Sequence, residues 1–187
     1  MQIDKDIAQK YNLKEEDIGL TMAAYEPLSL KANDYFLKEG EVCKYIGIVT
    51  NGLLRSFFYD DNGSEITSGF FPEESLIISF ESFNNQIPAK ENIKAIEDTE
   101  LMVVPYKKQK ELYDKIPAWN LICRDMADYY SREMISRTNQ FQTLSATERY
   151  RKFCTENPQI LQRATLGHIA SYLGIDNATL SRIRKKK

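Results

Sequence analysis

Residues 165–187 read TLGHIASYLGIDNATLSRIRKKK. The pattern predicts two short helices, one over 166–173 and one that starts after Asp176 and runs through Arg184. Gly174 stands between them, where a helix C-terminus favours a residue that tolerates positive φ. Asp176 is placed to cap the second helix, because a carboxylate can accept from the free N–H groups of a first turn. Ile169, Leu173, Ile175, Leu180 and Ile183 make a shared apolar core. Ala170 lies on the face where the helices cross, and a large side chain there would push them apart. Ala170, Gly174 and Leu180 at this spacing mark a helix-turn-helix corner.

The other face of the second helix presents Asn177, Ala178, Ser181, Arg182 and Lys185. In such a corner the second helix enters the major groove of double-stranded DNA. Arg182 can donate twice to guanine, and Asn177 can pair with adenine. Thr165, Ser171, Thr179, Arg184 and the lysines at 185–187 suit phosphate contacts, which position without specifying. His168 reads as a plain surface histidine. Taken singly, Arg182 also fits a solvated arginine and 185–187 a solubilising tail. The competing reading is a ligand-binding or protein-interaction module without DNA readout.

The charge distribution favours DNA. Residues 144–187 carry nine Lys/Arg and three Asp/Glu, whereas 1–143 carry 16 and 24. A basic end on an acidic body is expected when one module meets phosphates and the other does not. The full chain of 187 residues is 42% hydrophobic and 28% charged, which fits a globular protein. No apolar run approaches the roughly 18 residues of a membrane span. The opening MQIDKDIAQK has no apolar core behind a basic start, so a cytoplasmic location is expected. Cys43, Cys123 and Cys154 are dispersed, and His168 is the single histidine. No metal site, cofactor or disulfide framework is expected, and the cysteines read as packing residues. No nucleophile–base constellation or Gly-rich phosphate loop suggests an enzyme.

Upstream, residues 4–23 predict a short helical region with Ile7, Tyr11, Ile18 and Met22 as apolar contacts. From Glu26 to about Pro105, strand-length runs such as YIGIVTNGLLRSFFYDDNGSE, SLIISF and ELMVVP alternate with turn signals. These predict an antiparallel sandwich or barrel. Asn51-Gly52 and Asn62-Gly63 read as type I′ hairpin turns. Pro117 opens a helix to about 142, roughly 39 Å long. Its stripe of Trp119, Cys123, Met126, Tyr130 and Met134, continued by Arg137 and Phe141, is expected to pair in part with the same helix of a second copy of the chain; the alternative is that it only packs on the β unit. Ser145 with Glu148 is a capping box. It starts a helix that stops at Asn157-Pro158.

This order of elements, with ERYRKF, IASYLGI and TLSRIRKK, resembles the Crp/Fnr regulators, and ASYLGI…TLSRIRK resembles their Bacteroidetes branch. The resemblance spans essentially the whole chain. It implies an α+β protein with an antiparallel jelly-roll sensor domain of the cyclic-nucleotide-binding type over 1–116. A dimerisation helix at 117–143 and a winged helix-turn-helix at 144–187 would follow. It also implies a transcription regulator acting as a homodimer on pseudo-palindromic DNA, with RNA polymerase as a further partner. The family's cyclic-nucleotide binders use a Gly-Glu pair and an Arg-Ser/Thr-Ala segment. Here Ala89, Lys90 and Glu91 occupy the second, and Glu73 or Glu74 stands for the ribose-binding acid without a preceding glycine. Glu73, Glu74, Ala89 and Lys90 outline an effector pocket for an unidentified small molecule, while Glu91 would put negative charge near a phosphate, so cyclic AMP is not expected to bind usefully. The four-cysteine cluster of the oxygen-sensing branch is missing, and no histidine of the β domain could ligate haem. A wing would have to come from 159–165 or be reduced. Asn177 and Ala178 replace the family's familiar Arg and Glu, while Arg182 matches, so the half-site should differ.

Overall fold

The computed structural model describes residues 5–185. The predicted N-terminal helical region is two helices, α1 (Lys5–Lys10) and α2 (Glu15–Ala24). Eight strands follow: β1 (Glu26–Leu30), β2 (Tyr35–Leu37), β3 (Tyr45–Asn51), β4 (Leu54–Tyr59), β5 (Glu65–Phe71), β6 (Leu76–Ile77), β7 (Asn92–Ala95) and β8 (Thr99–Pro105). They form two four-stranded antiparallel sheets, ordered β1-β8-β3-β6 and β2-β7-β4-β5. The inward faces supply Val49, Leu54, Ile77, Ile93, Leu101 and Val103, all buried in one core. This is the expected jelly-roll sandwich.

The two Asn-Gly turns differ from expectation. Asn51-Gly52 joins β3 to β4, which lie in different sheets, so it is a crossover and not a hairpin. Gly52 has φ +102°, and a Cβ there would lie 2.7 Å from the Asp98 carbonyl oxygen. Close backbone approach explains this glycine. Asn62-Gly63 does sit in the β4–β5 hairpin, but only Gly63 has positive φ. With Gly63 N–H donating to the Asp60 carbonyl at 2.9 Å, the loop is a type I turn closed by a left-handed glycine. A bulge places Ser68 as the extra residue of β5, because Ser56 pairs with Gly69 and Phe57 with Thr67. The run SLIISF is not one strand: β6 covers two residues, and α3 (Phe80–Asn85) begins at once.

After β8 comes α4 (Tyr106–Lys115), a helix with no counterpart in the sequence reading, and then α5 (Pro117–Thr143). The expected dimer stripe faces mostly inward. Trp119 and Ile122 are buried with Ala24, Leu112 and Ile116, and Cys123 packs at their edge. Met126 and Tyr130 pack against the sandwich core. Met134 is largely open, at 67% exposure, and Phe141 is exposed as well. The sandwich and α2–α4 therefore claim most of the stripe assigned to a partner. The opposite face carries Leu121 and Ile135, both exposed. No helix among the described residues is long and apolar enough to cross a membrane.

The helical end comprises α6 (Ala146–Glu156), α7 (Pro158–Arg163), α8 (Leu166–Tyr172) and α9 (Asn177–Lys185). The Ser145 box forms: its N–H donates to Glu148 at 2.8 Å, and Glu148 N–H donates back at 3.3 Å. Residues 159–165, considered as a wing, are instead α7 and its exit, and among the described residues no strand follows β8. Pro158 stops α6 but also starts α7, since its missing N–H costs nothing in a first turn.

This module shares a core with the sandwich. Leu53, at the β3–β4 crossover, is fully buried among Phe153, Ile160, Ala164, Ile169 and Leu173. Phe70 of β5 stacks at 5.3 Å on Tyr172 and 6.2 Å on Phe153. Arg163 donates to both oxygens of Glu73 at 2.9 Å and also to Glu97. With these bonds and one from Gly52 N–H at 2.8 Å, the Glu73 carboxyl is held down at about 2.

Leu53→Ala should therefore cost about 3 kcal/mol by urea unfolding, the usual penalty for an unfilled core position. A loss below about 1 kcal/mol would show that the two parts do not pack on Leu53 in solution. The Arg163 strap should depend on pH. Because folding lowers the Glu73 pKa from 4.5, its contribution is full above that value and lost as pH falls toward 2. Glu73→Gln should cost about 1 kcal/mol at pH 7, discounted because the carboxylate is over a third exposed and screened. The difference from the parent protein should shrink below pH 4.5, as measured by urea unfolding across pH.

Candidate nucleic-acid interface and ligand cavity

The α8–α9 corner is built by short-range chemistry. Thr165 caps α8 by accepting from His168 N–H at 3.2 Å. The helix ends with Ile175 N–H donating to Ala170 and Gly174 N–H to Ser171, both at 3.0 Å. This is a Schellman closure, and Gly174 takes the required left-handed conformation at φ +63°. Asp176 then accepts from Thr179 N–H at 2.6 Å, which starts α9. Ile169, Ala170 and Leu180 are buried, while Ile175 and Ile183 are half-buried. These five close the corner around Gly174.

Asn177, Ala178, Ser181, Arg182, Arg184 and Lys185 are exposed together on α9. Arg182 is braced by donating to the Thr179 hydroxyl at 2.9 Å. That hydroxyl also donates to Asp176 at 3.1 Å, so Thr179 serves the cap and holds Arg182. Thr165 remains exposed at the α8 N-terminus. Residues 186 and 187, part of the expected phosphate-contacting tail, lie outside the described residues.

Ser171 is not on this surface. Its hydroxyl accepts from Thr67 N–H at 2.9 Å and donates to the Glu65 carbonyl at 3.1 Å. β5 is an edge strand, so α8 satisfies backbone groups that the sheet leaves unpaired. His168 is likewise no plain surface residue. It is half-buried, and burial first, then the nearby Arg55 charge, hold it below its ordinary range. Arg55 itself is buried in β4, paired with Glu65 and bonded to the Thr67 hydroxyl at 3.1 Å.

The residues proposed for an effector pocket separate. Glu73 is fastened to Arg163, and Glu74, an exposed residue with φ +68°, borders a cleft of about 710 Å³ beside Tyr129, Glu133 and Lys152. Ala89 and Lys90 line a different cavity of about 920 Å³, between β5, α3 and α5. Its walls include Phe58, Phe71, Phe80, Tyr130 and Met134, with Ser79, Glu81 and Glu91 at one side. The Ala89 N–H already donates to the Glu41 carbonyl at 2.8 Å. Lys90 points outward and pairs with Glu81 at 3.2 Å. Glu91 is half-buried. Burial raises its pKa, and a hydrogen bond with Ser79 opposes that. Ser79 and Arg137 are cavity groups that the sequence motif does not point to, and Glu91, read there only as unfavourable to a phosphate, lines the cavity as well. Counting back from Ala89 to the first residues before α3 would have reached Ser79.

Arg137 of α5 lines this cavity and also reaches the C-terminal helical module. It donates to the Ser68 carbonyl at the β5 bulge and to the Tyr172 carbonyl at 3.1 Å. Its guanidinium lies 4.1 Å from the Tyr172 ring centroid. Burial lowers its pKa, and Nε is buried without a partner.

Comparison with known proteins agrees with this architecture. Residues 27–115 match the family model of the cyclic nucleotide-binding domain. No curated protein matches the chain. Among solved structures, FixK2 from Bradyrhizobium japonicum has a TM-score of 0.75 at 18% identity, covering 87% of this chain and 83% of that one. A transcriptional regulator of the Crp/Fnr family from Eubacterium rectale has 0.71 at 22%, covering 93% and 83%. The catabolite activator protein of Thermus thermophilus has 0.58 at 18%, covering 92% and 83%. Residues 27–115 thus resemble the cyclic nucleotide-binding domain, and the chain as a whole has the fold of these solved regulators.

Proposed function

We propose that the protein is a sequence-specific DNA-binding transcription regulator that acts as a homodimer under control of a small molecule. The observation that carries this reading is the open face of α9. Asn177, Ser181 and a braced Arg182 stand together in solvent on a corner that is otherwise closed. The basic C-terminal end and the Crp/Fnr-like architecture support it, and the regulator from Eubacterium rectale is named as one. The sensor is assigned to 1–116, the dimer helix to 117–143 and the DNA-binding module to 144–187. RNA polymerase is the further partner expected of a regulator bound at a promoter.

Dimerisation is assigned to the outward face of α5. Leu121, Asp128 and Ile135 recur at seven residues, the spacing at which two helices can stay in contact. Met134 flanks them. Arg137 carries control, since a ligand that favours one position of that side chain also favours one position of Tyr172 and α8.

Binding should be measured by fluorescence anisotropy on selected and random duplexes at several salt concentrations. Arg182→Ala should weaken selected sites by about 1–3 kcal/mol and relax one position of the half-site. Lys185→Gln should weaken all duplexes alike and lower the salt slope by about 1. No binding at low salt would favour a module without DNA readout. Ile135→Glu should convert a dimer to a monomer in analytical ultracentrifugation, at the concentrations used for DNA binding. A dimer that survives this change would place the interface elsewhere.

A further inference from the structure

The cavity between β5, α3 and α5 has a chemistry of its own. Glu91 brings a carboxylate to its wall, and among the described residues no lysine or arginine forms an ion pair with it. The two cations that line the space already have partners. Lys90 pairs with Glu81 at the exposed rim of the same cavity, and Arg137 donates to the Ser68 and Tyr172 carbonyls. An anionic group placed beside Glu91 would meet like charge, with Lys90 already paired to Glu81. Opposite charge or a strong donor would instead complete a carboxylate whose hydrogen-bond partner among the described residues is Ser79.

The remaining walls are aromatic. Phe80 and Tyr130 lie 5.9 Å apart with their rings tilted by 54°. The Tyr130 hydroxyl is fixed by accepting from Leu76 N–H at 3.1 Å, which holds the ring against the cavity. Phe58 and Phe71 extend the same lining. Aromatic faces attract both flat apolar rings and cations. A space of about 920 Å³ suits a small organic molecule.

We propose that this cavity binds a small aromatic amine, its ring between the aromatic walls and its protonated nitrogen on the Glu91 carboxylate. The inference deepens the regulator reading by naming the class of effector. Its test is made without DNA, so its failure and the failure of the DNA reading are separate results.

The full chain is titrated by calorimetry with 2-phenylethylamine, 2-phenylethanol, phenylacetate and cyclic AMP. The amine should bind at least about tenfold more tightly than phenylacetate, as like-charge repulsion at Glu91 requires. Glu91→Gln should weaken the amine by about tenfold while leaving the alcohol unchanged. Phenylacetate or cyclic AMP binding as tightly as the amine would overturn the proposal, and would point to Arg137 as the recognising charge. Absence of amine binding at millimolar concentration would overturn it too, as would an unchanged affinity in a Glu91→Gln protein with native circular dichroism. The comparison among the four compounds on the unmodified chain needs no variant, and decides the charge preference even if Glu91→Gln does not fold.

Discussion

A β-sheet ends in a strand whose outer N–H and C=O groups need partners, and in this protein that strand is β5. Helix α8 meets the need. Ser171 accepts from Thr67 and donates to Glu65, and Arg137 joins the carbonyls of Ser68 and Tyr172. Closing an edge this way protects it against strand pairing with another chain. It also sets where the helical module stands, because the contacts fall on Glu65, Thr67 and Ser68 of one strand. Leu53 and the Phe70–Tyr172–Phe153 cluster fill the space behind, and Arg163 ties the far side to Glu73 and Glu97. With α8 turned inward, α9 is left outward.

The same edge brings the cavity and the module together. The bulge at Ser68 turns that carbonyl toward α5, where Arg137 takes it. Arg137 is thus a wall of the cavity and a clasp on the end of α8. This partly buried guanidinium is held by carbonyls and not by a carboxylate. A guanidinium offers several donors in a fixed fork, so one side chain can join two carbonyls from different elements. Met134 and Tyr130, one turn or two before it on α5, share the cavity.

Much of the architecture was legible because its causes are local. Asp176, Gly174, the Ser145–Glu148 box and Pro117 each act within a few residues of their own positions, through caps and left-handed turns. The alternation of short apolar runs likewise announced the sandwich. Other features depended on distant partners. Asn51-Gly52 has the composition of a hairpin, yet the crowding of Gly52 against Asp98 and Thr99 belongs to a crossover between sheets. Glu73 was a fair candidate for a ligand-binding acid until Arg163, ninety positions later, proved to hold it.

The stripe on α5 states the limit most clearly. Its spacing determined that the segment is helical and that one face is apolar, since periodicity is a property of the chain alone. It did not determine what covers that face. Trp119, Met126 and Tyr130 found the sandwich and its neighbouring helices, leaving Leu121 and Ile135 outside. In the same way, residues 165–187 determined the corner and the set of polar side chains upon it. Only the tertiary structure decided that Ser171 and His168 turn to β5 while Asn177 and Arg182 face solvent. A helix fixes the angles between its side chains, but which side becomes the outside depends on what the rest of the chain packs against it.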